Sequence, residues 1–278
     1  MTTVCITGAS GFLATHVVRA FIEHGHTVHG TVRSLSNSTT LAPLREAVSD
    51  FPSVTLKLFE ADLTDPASSD FANALRGCEV LVHTATPVIV DTSGLDDDAA
   101  RRAFTDPAVD GTLALLSAAH AAGVKHCVLT SSTGCMLGRP EFDEPRAPST
   151  LSAMVSSDIE WMTDNKQWYR LAKTQQEAAA REFCSTRGMG ISTIHPSLIL
   201  GPYYGGTATR LSVGHELVLR WLTDSSTIVP NGHTGSFSLC LSLSLSLSLS
   251  LSLSLSLSLI LSLARALSFS LSRARALT

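Results

Sequence analysis

Six short apolar runs rich in β-branched residues punctuate the first two hundred positions: VCIT at 4–7, TVHGTV at 27–32, VTLKLF at 54–59, VLVHTA at 80–85, HCVLTS at 126–131 and ISTIHP at 191–196. Each has the length of a strand buried on both faces. Between them lie amphipathic stretches with helical spacing, at Thr15 to His24, Ser69 to Arg76, Gly111 to Ala122 and Tyr169 to Thr186. Strand, helix and strand in alternation predict right-handed β-α-β crossovers, hence an α/β fold with a doubly wound parallel sheet. In such sheets ligands bind beyond the carboxyl ends of the strands, so the chemistry is sought just after each run.

The pattern changes after Ser236, where Ser alternates with Leu through Leu263 and Ala-Arg pairs follow. A repeated CT dinucleotide encodes Leu-Ser indefinitely, and Phe237, Cys240 and Phe269 each lie one base from the expected codon. A selected strand would vary its apolar face, and a membrane span needs about 20 mainly apolar residues where half of these are Ser. Residues 238–278 are therefore read as a low-complexity tail from non-native coding, expected to join no packed domain. That leaves residues 1–200 as a dinucleotide-binding domain with the catalytic residues, and 201–237 as part of a substrate domain.

Composition narrows the function. The net charge is -4 over 278 residues, and no basic cluster precedes the tail, so a phosphate-backbone footprint is not expected and nucleic acid is excluded as a partner. No Cys-x-x-Cys pair occurs among the six cysteines, which read as buried thiols of a reducing compartment. The N-terminus enters an apolar run without a basic leader, so a cytoplasmic location is the expectation and a membrane is not. No metal set is indicated.

The first run ends in TGASGFLA, which opens directly into helix. Gly8 and Gly11 let the backbone approach a pyrophosphate, and the free N–H groups at the helix start favour the anion, with Ser10, Phe12 and Leu13 completing the turn. This is a Rossmann-type dinucleotide site. At the end of the second run an NAD-binding site wants a carboxylate for the ribose hydroxyls, but His29 to Ser34 contains none and Arg33 stands there. A guanidinium presents forked donors to a 2′-phosphate, so NADP is the expected cofactor. Asp62 and Leu63 follow the third run, where a carboxylate can accept from the adenine amino group, although Asp there is also a common helix cap.

The fifth run leads into Thr130-Ser131-Ser132, and Tyr169-Arg-Leu-Ala-Lys173 follows downstream. Residues four apart share a helix face, so the Lys173 ammonium is expected beside the Tyr169 phenol. Lowering a tyrosine pKa from about 10 to near neutrality takes about 4 kcal/mol. The ammonium together with a positive nicotinamide ring is expected to supply it, making Tyr169 a general acid.

Taken together, TGASGFLA, VRS at 32–34, ADLTD at 61–65, HTATP at 83–87, VDGT at 109–112, VLTSST at 128–133, YRLAK and TIHPSLILGP at 193–202 resemble the extended short-chain dehydrogenase/reductases over residues 3–206. The likeness is strongest to dihydroflavonol reductases, cinnamoyl-CoA reductases and related aldehyde reductases. It implies a catalytic set of Ser132, Tyr169 and Lys173. It also implies cofactor contacts from Thr84, Ala85, Thr86, Thr130, Tyr169, Lys173, Pro196 and Ser197, with His195 structural. Nothing after Phe237 matches the stretch that completes the sheet and pocket in such chains, so the substrate domain is expected to be incomplete. The expected activity is NADPH-dependent reduction of a small aldehyde or ketone. A 3β-hydroxysteroid dehydrogenase, a sugar-nucleotide epimerase and an inactive cofactor-binding product are the alternatives. Against the first two stand Arg33, and His195-Pro196 where epimerases carry Arg-x-x-Asn.

Overall fold

The computed structural model describes residues 1–51, 56–67, 69–86, 92–140, 157–204 and 214–216. Six strands, β1 (Thr3–Thr7), β2 (Thr27–Val32), β3 (Leu56–Glu60), β4 (Val80–His83), β5 (His126–Thr130) and β6 (Gly190–Ile194), form one parallel sheet in the order β3-β2-β1-β4-β5-β6. The order reverses between β1 and β4, and that switch point is where such a sheet opens a crevice. The strands are interleaved with α1 (Phe12–Glu23), α2 (Ser38–Ala47), α3 (Phe71–Leu75), α4 (Asp97–Ala121), α5 (Gly134–Leu137), α6 (Ile159–Asp164) and α7 (Trp168–Thr186).

Alternation along the strands divides the core into two layers. Val4, Ile6, Val28, Val82 and Val128 face α1 and α2, while Cys5, Leu81, Cys127 and Leu129 face α3, α4 and α7. Both faces of the sheet are covered, which is why its strands read as continuous apolar runs. Leu115 and Leu116 of α4 are completely buried, and truncating such a leucine to alanine costs about 2–5 kcal/mol. Among the described residues no helix is long and apolar enough to cross a membrane.

The structure departs from the sequence reading in particular places. α2 has no predicted counterpart, since Pro43 interrupts its pattern and its start depends on the Asn37 side chain accepting from the Thr40 amide. α4 begins fourteen residues before the predicted Gly111 start, because Pro107 and Gly111 break a helix that tertiary packing nonetheless sustains. β4 ends at His83 rather than Ala85, since the Thr84 hydroxyl turns to donate to the Thr7 carbonyl. The leading part of the predicted 201–237 segment packs on α1. Phe12 lies against Tyr203 and His215, and His16 Nε2 is 2.9 Å from the Pro202 carbonyl. The tail at 238–278 lies outside the described residues.

Candidate active site

Two clusters meet above the switch point. The first is the turn between β1 and α1. Gly8 has φ +64°, and a Cβ there would lie 3.1 Å from Ala85 Cβ, so both backbone and space require glycine. The Gly8 amide donates to Thr31 Oγ1 at 3.2 Å and the Ala9 amide to the Thr31 carbonyl at 2.8 Å, tying the turn to β2. Gly11 caps α1 without any side-chain hydrogen bond, so the first helical N–H groups stay unspent beside half-buried Ser10, Phe12 and Leu13. That is the polarity and the open backbone a pyrophosphate needs.

Arg33 leaves the end of β2 into solvent and makes no hydrogen bond or ion pair among the described residues. Asp62 Oδ1 accepts from the Thr64 amide at 2.9 Å and its hydroxyl at 2.8 Å, so one carboxylate oxygen serves a local turn. The Leu63 side chain is buried in the core, and its carbonyl lies against α4 at Gly111, where a Cβ would come within 2.6 Å of it. Thr84, Ala85 and Thr86 sit half-buried between this cluster and the next, with the Ala85 amide donating to Thr7 Oγ1.

The second cluster lies at the ends of β5 and β6 beneath α7. Lys173 is 3% exposed, and Nζ donates to Thr86 Oγ1 at 2.7 Å, the Thr130 carbonyl at 3.2 Å and Gln176 Oε1 at 3.0 Å. Burial pushes its pKa down to about 8, against the charge-favouring influence of Cys135 and Glu177. Ser132 is buried, and its Oγ accepts from the Gly134 amide at 3.0 Å, leaving its own proton free to donate. Tyr169, one turn before Lys173, is 43% exposed and open to a ligand.

The expected fall of the Tyr169 pKa takes the Lys173 ammonium and a nicotinamide ring together; the chain's own groups raise it, with desolvation the main cause, a hydrogen bond with Ser132 opposing and Cys135 adding to the rise. All three Lys173 protons are directed to Thr86, Thr130 and Gln176, so the ammonium alone does not bring the phenol toward neutrality.

Glu177, a further turn along α7, gave no signal in the sequence. It receives the Ser131 hydroxyl, His195 Nε2 at 2.7 Å and Arg181 Nε at 2.8 Å. Burial works against its charge, but the bonds from His195 and Ser131, the His195 charge and the Arg181 bond hold its pKa down to about 2. The carboxylate thus clasps the residue before Ser132 and the residue before Pro196. Thr133 reinforces this by donating its amide to the Pro196 carbonyl at 3.0 Å, while Ser197 stays exposed. His195 Nδ1 is buried without a hydrogen-bond partner among the described residues.

A tetraketide alpha-pyrone reductase 1 from Arabidopsis thaliana is 38% identical over 200 residues, covering 72% of this chain and 58% of that protein. A cinnamoyl-CoA reductase 1 from Petunia hybrida is 34% identical over 229 residues, covering 82% and 62%. The chain thus spans about three fifths of these relatives' length. The crystal structure of vestitone reductase from alfalfa (Medicago sativa L.) superposes with a TM-score of 0.60 at 27% identity, over 79% of this chain and 63% of that one. A family model matches residues 4–225, four fifths of the sequence, and by that match the chain belongs to the NAD dependent epimerase/dehydratase family.

Proposed function

We propose that this chain is an NADPH-dependent reductase of a small aldehyde or ketone. The observation that carries the reading is a Ser132–Tyr169 hydrogen bond one helical turn from buried Lys173, which Thr86 ties toward a glycine turn whose helix N-terminus has no side-chain cap. The turn fits a dinucleotide because Gly8 keeps its left-handed conformation tight against Ala85 and the α1 N-terminus carries no side-chain cap. Arg33 is free to take a 2′-phosphate where no carboxylate stands to take the ribose hydroxyls, which also argues against the NAD-using alternatives. When bound, the nucleotide supplies the hydride.

The protein supplies the proton and the orientation. Ser132 donates a hydrogen bond to the carbonyl oxygen and fixes it near the Tyr169 phenol. Tyr169, kept protonated by its raised pKa, delivers its proton to that oxygen as negative charge develops there. The Ser132 bond stabilises the phenolate left behind, before solvent reprotonates it. Thr86, Thr130 and Gln176 hold Lys173 in place, from which one donor would turn to a bound nucleotide, and Pro196 and Ser197 would help to hold it. The compounds for which the relatives are named, a tetraketide alpha-pyrone, cinnamoyl-CoA and vestitone, are the first to try. The free buried thiols suit a reducing, cytoplasmic setting.

The test is NADPH oxidation by the full chain over a panel of aromatic and aliphatic aldehydes and ketones. Turnover that disappears in Tyr169→Phe supports the reading. Turnover unchanged in Tyr169→Phe, or none with any carbonyl from a folded chain that binds the nucleotide, contradicts it.

A further inference from the structure

Lys173 is one end of a longer chain of buried hydrogen bonds. The Ala85 amide donates to Thr7 Oγ1 at 3.1 Å, and that hydroxyl lies 2.8 Å from His83 Nδ1. His83 Nε2 is 3.0 Å from Thr112 Oγ1. Gln176 Nε2 donates to the same Thr112 hydroxyl at 2.8 Å, and Gln176 Oε1 accepts from Lys173 Nζ. The five side chains come from β1, β4, α4 and α7, and none is more than 3% exposed. Thr7 adjoins Gly8, so the chain runs from the nucleotide turn to the ammonium through the centre of the domain.

Polar groups buried so deeply are costly unless each is partnered, and here each one is. The amide orientation of Gln176 is forced, because an ammonium has no lone pair and accepts nothing; the carbonyl must face Lys173 and the NH2 must face Thr112. His83 stays neutral, since burial and then the Lys173 charge push its pKa down to about 3. A neutral imidazole gives one hydrogen bond and takes one, which is what hydroxyls on its two sides allow. Gly111, the neighbour of Thr112, lets α4 lie tight against the Leu63 carbonyl.

We infer that His83, Thr112 and Gln176 are positioning residues for Lys173, anchoring its ammonium to the glycine turn so that the nucleotide end and the proton-transfer end of the site keep one spacing. What the ammonium does there rests on the reductase reading; how it is held rests on the hydrogen bonds. A fully satisfied buried network selects one geometry where an apolar filling would not. Gln176 also biases the lysine, because its carbonyl dipole favours the charged form against burial. The titratable groups facing Lys173 are Cys135 of α5, Glu177 of its own helix and His83 of β4. β5 presents the Thr130 carbonyl and α4 reaches it only through the Thr112 hydroxyl, neither of which titrates.

The experiment is a pH titration of Lys173 in the full chain without nucleotide or substrate, followed by NMR of ε-13C-lysine and assigned by the signal lost in Lys173→Arg. The wild-type midpoint is expected near 8. Gln176→Glu places an anion on the ammonium and raises its proton affinity roughly tenfold or more, whereas Gln176→Met lowers it. Thr112→Val frees the glutamine without touching the lysine and moves the midpoint the same way as Gln176→Met, by less. Midpoints that coincide in variants whose thermal unfolding shows them folded overturn the inference. Since neither nucleotide nor substrate enters the titration, absent carbonyl turnover with these shifts intact removes the reductase reading alone. Turnover with immobile midpoints removes the anchoring alone.

Discussion

The two ends of the site solve opposite problems with the same groups. At the β1–α1 turn, donors are left unspent: Gly11 caps α1 with no side chain, and Arg33 reaches solvent without a partner among the described residues. At the proton-transfer end the donors are committed, with the Lys173 ammonium bonded to Thr86, Thr130 and Gln176, and the Glu177 carboxylate bonded to Ser131, His195 and Arg181. An open set of donors suits a surface that must accept an anion. A closed set suits a charge that must stay within a fraction of an ångström of its working position. The difference predicts that substitutions at the first end act on binding, and those at the second on rate and on pH dependence.

The largest effect is expected at Tyr169. Replacing it with phenylalanine removes the proposed proton donor and should lower kcat by about 10² to 10⁴ with little change in nucleotide affinity; an equal loss in both would contradict the division. Next comes the Glu177 clasp. Its folded pKa of about 2 lies below the unfolded carboxylate value, so its stabilisation is complete above about pH 5 and disappears as pH falls toward 2. That is worth about 3 kcal/mol. Urea unfolding at several pH values should show this loss in the wild type and a flatter dependence in Glu177→Gln. At the other end, Gly8→Ala must adopt a left-handed conformation and crowd Ala85, for a loss of about 1–2 kcal/mol in stability. Nucleotide affinity should fall with it, as denaturation and binding curves on the same sample would show.

How far each end could be read from sequence follows from the same difference. The glycine turn and Arg33 are local: a few consecutive residues carry the backbone conformation, the helix start and the charge, so TGASGFLA and the residue after β2 were enough to place them. The Tyr169 and Lys173 pair is local too, four apart on one helix. What surrounds the pair is not. His83, Thr112 and Gln176 lie on three elements and look, one at a time, like ordinary core polar residues; only the sheet order brings them into line. Glu177 was equally invisible, because its partners Ser131 and His195 end different strands. A spacing of four likewise says nothing of where three ammonium protons are directed. The fold itself was legible in its strands, whose two-sided burial leaves an unbroken apolar signature. The helices α2 and α4 were lost in whole or part to internal prolines that packing overrides.

The most direct test that the open end receives an NADP-type nucleotide lies at Arg33. The measurement is the affinity of the full chain for NADPH and for NADH, read by energy transfer from protein emission to the reduced nicotinamide, in the wild type and in Arg33→Ala. Hydrogen bonds to a charged group are worth about 1.5–3 kcal/mol. NADPH should therefore bind roughly tenfold or more tightly than NADH, and Arg33→Ala should erase the preference by weakening NADPH alone. Equal affinities in the wild type, or a preference for NADPH that survives the loss of Arg33, would contradict the account.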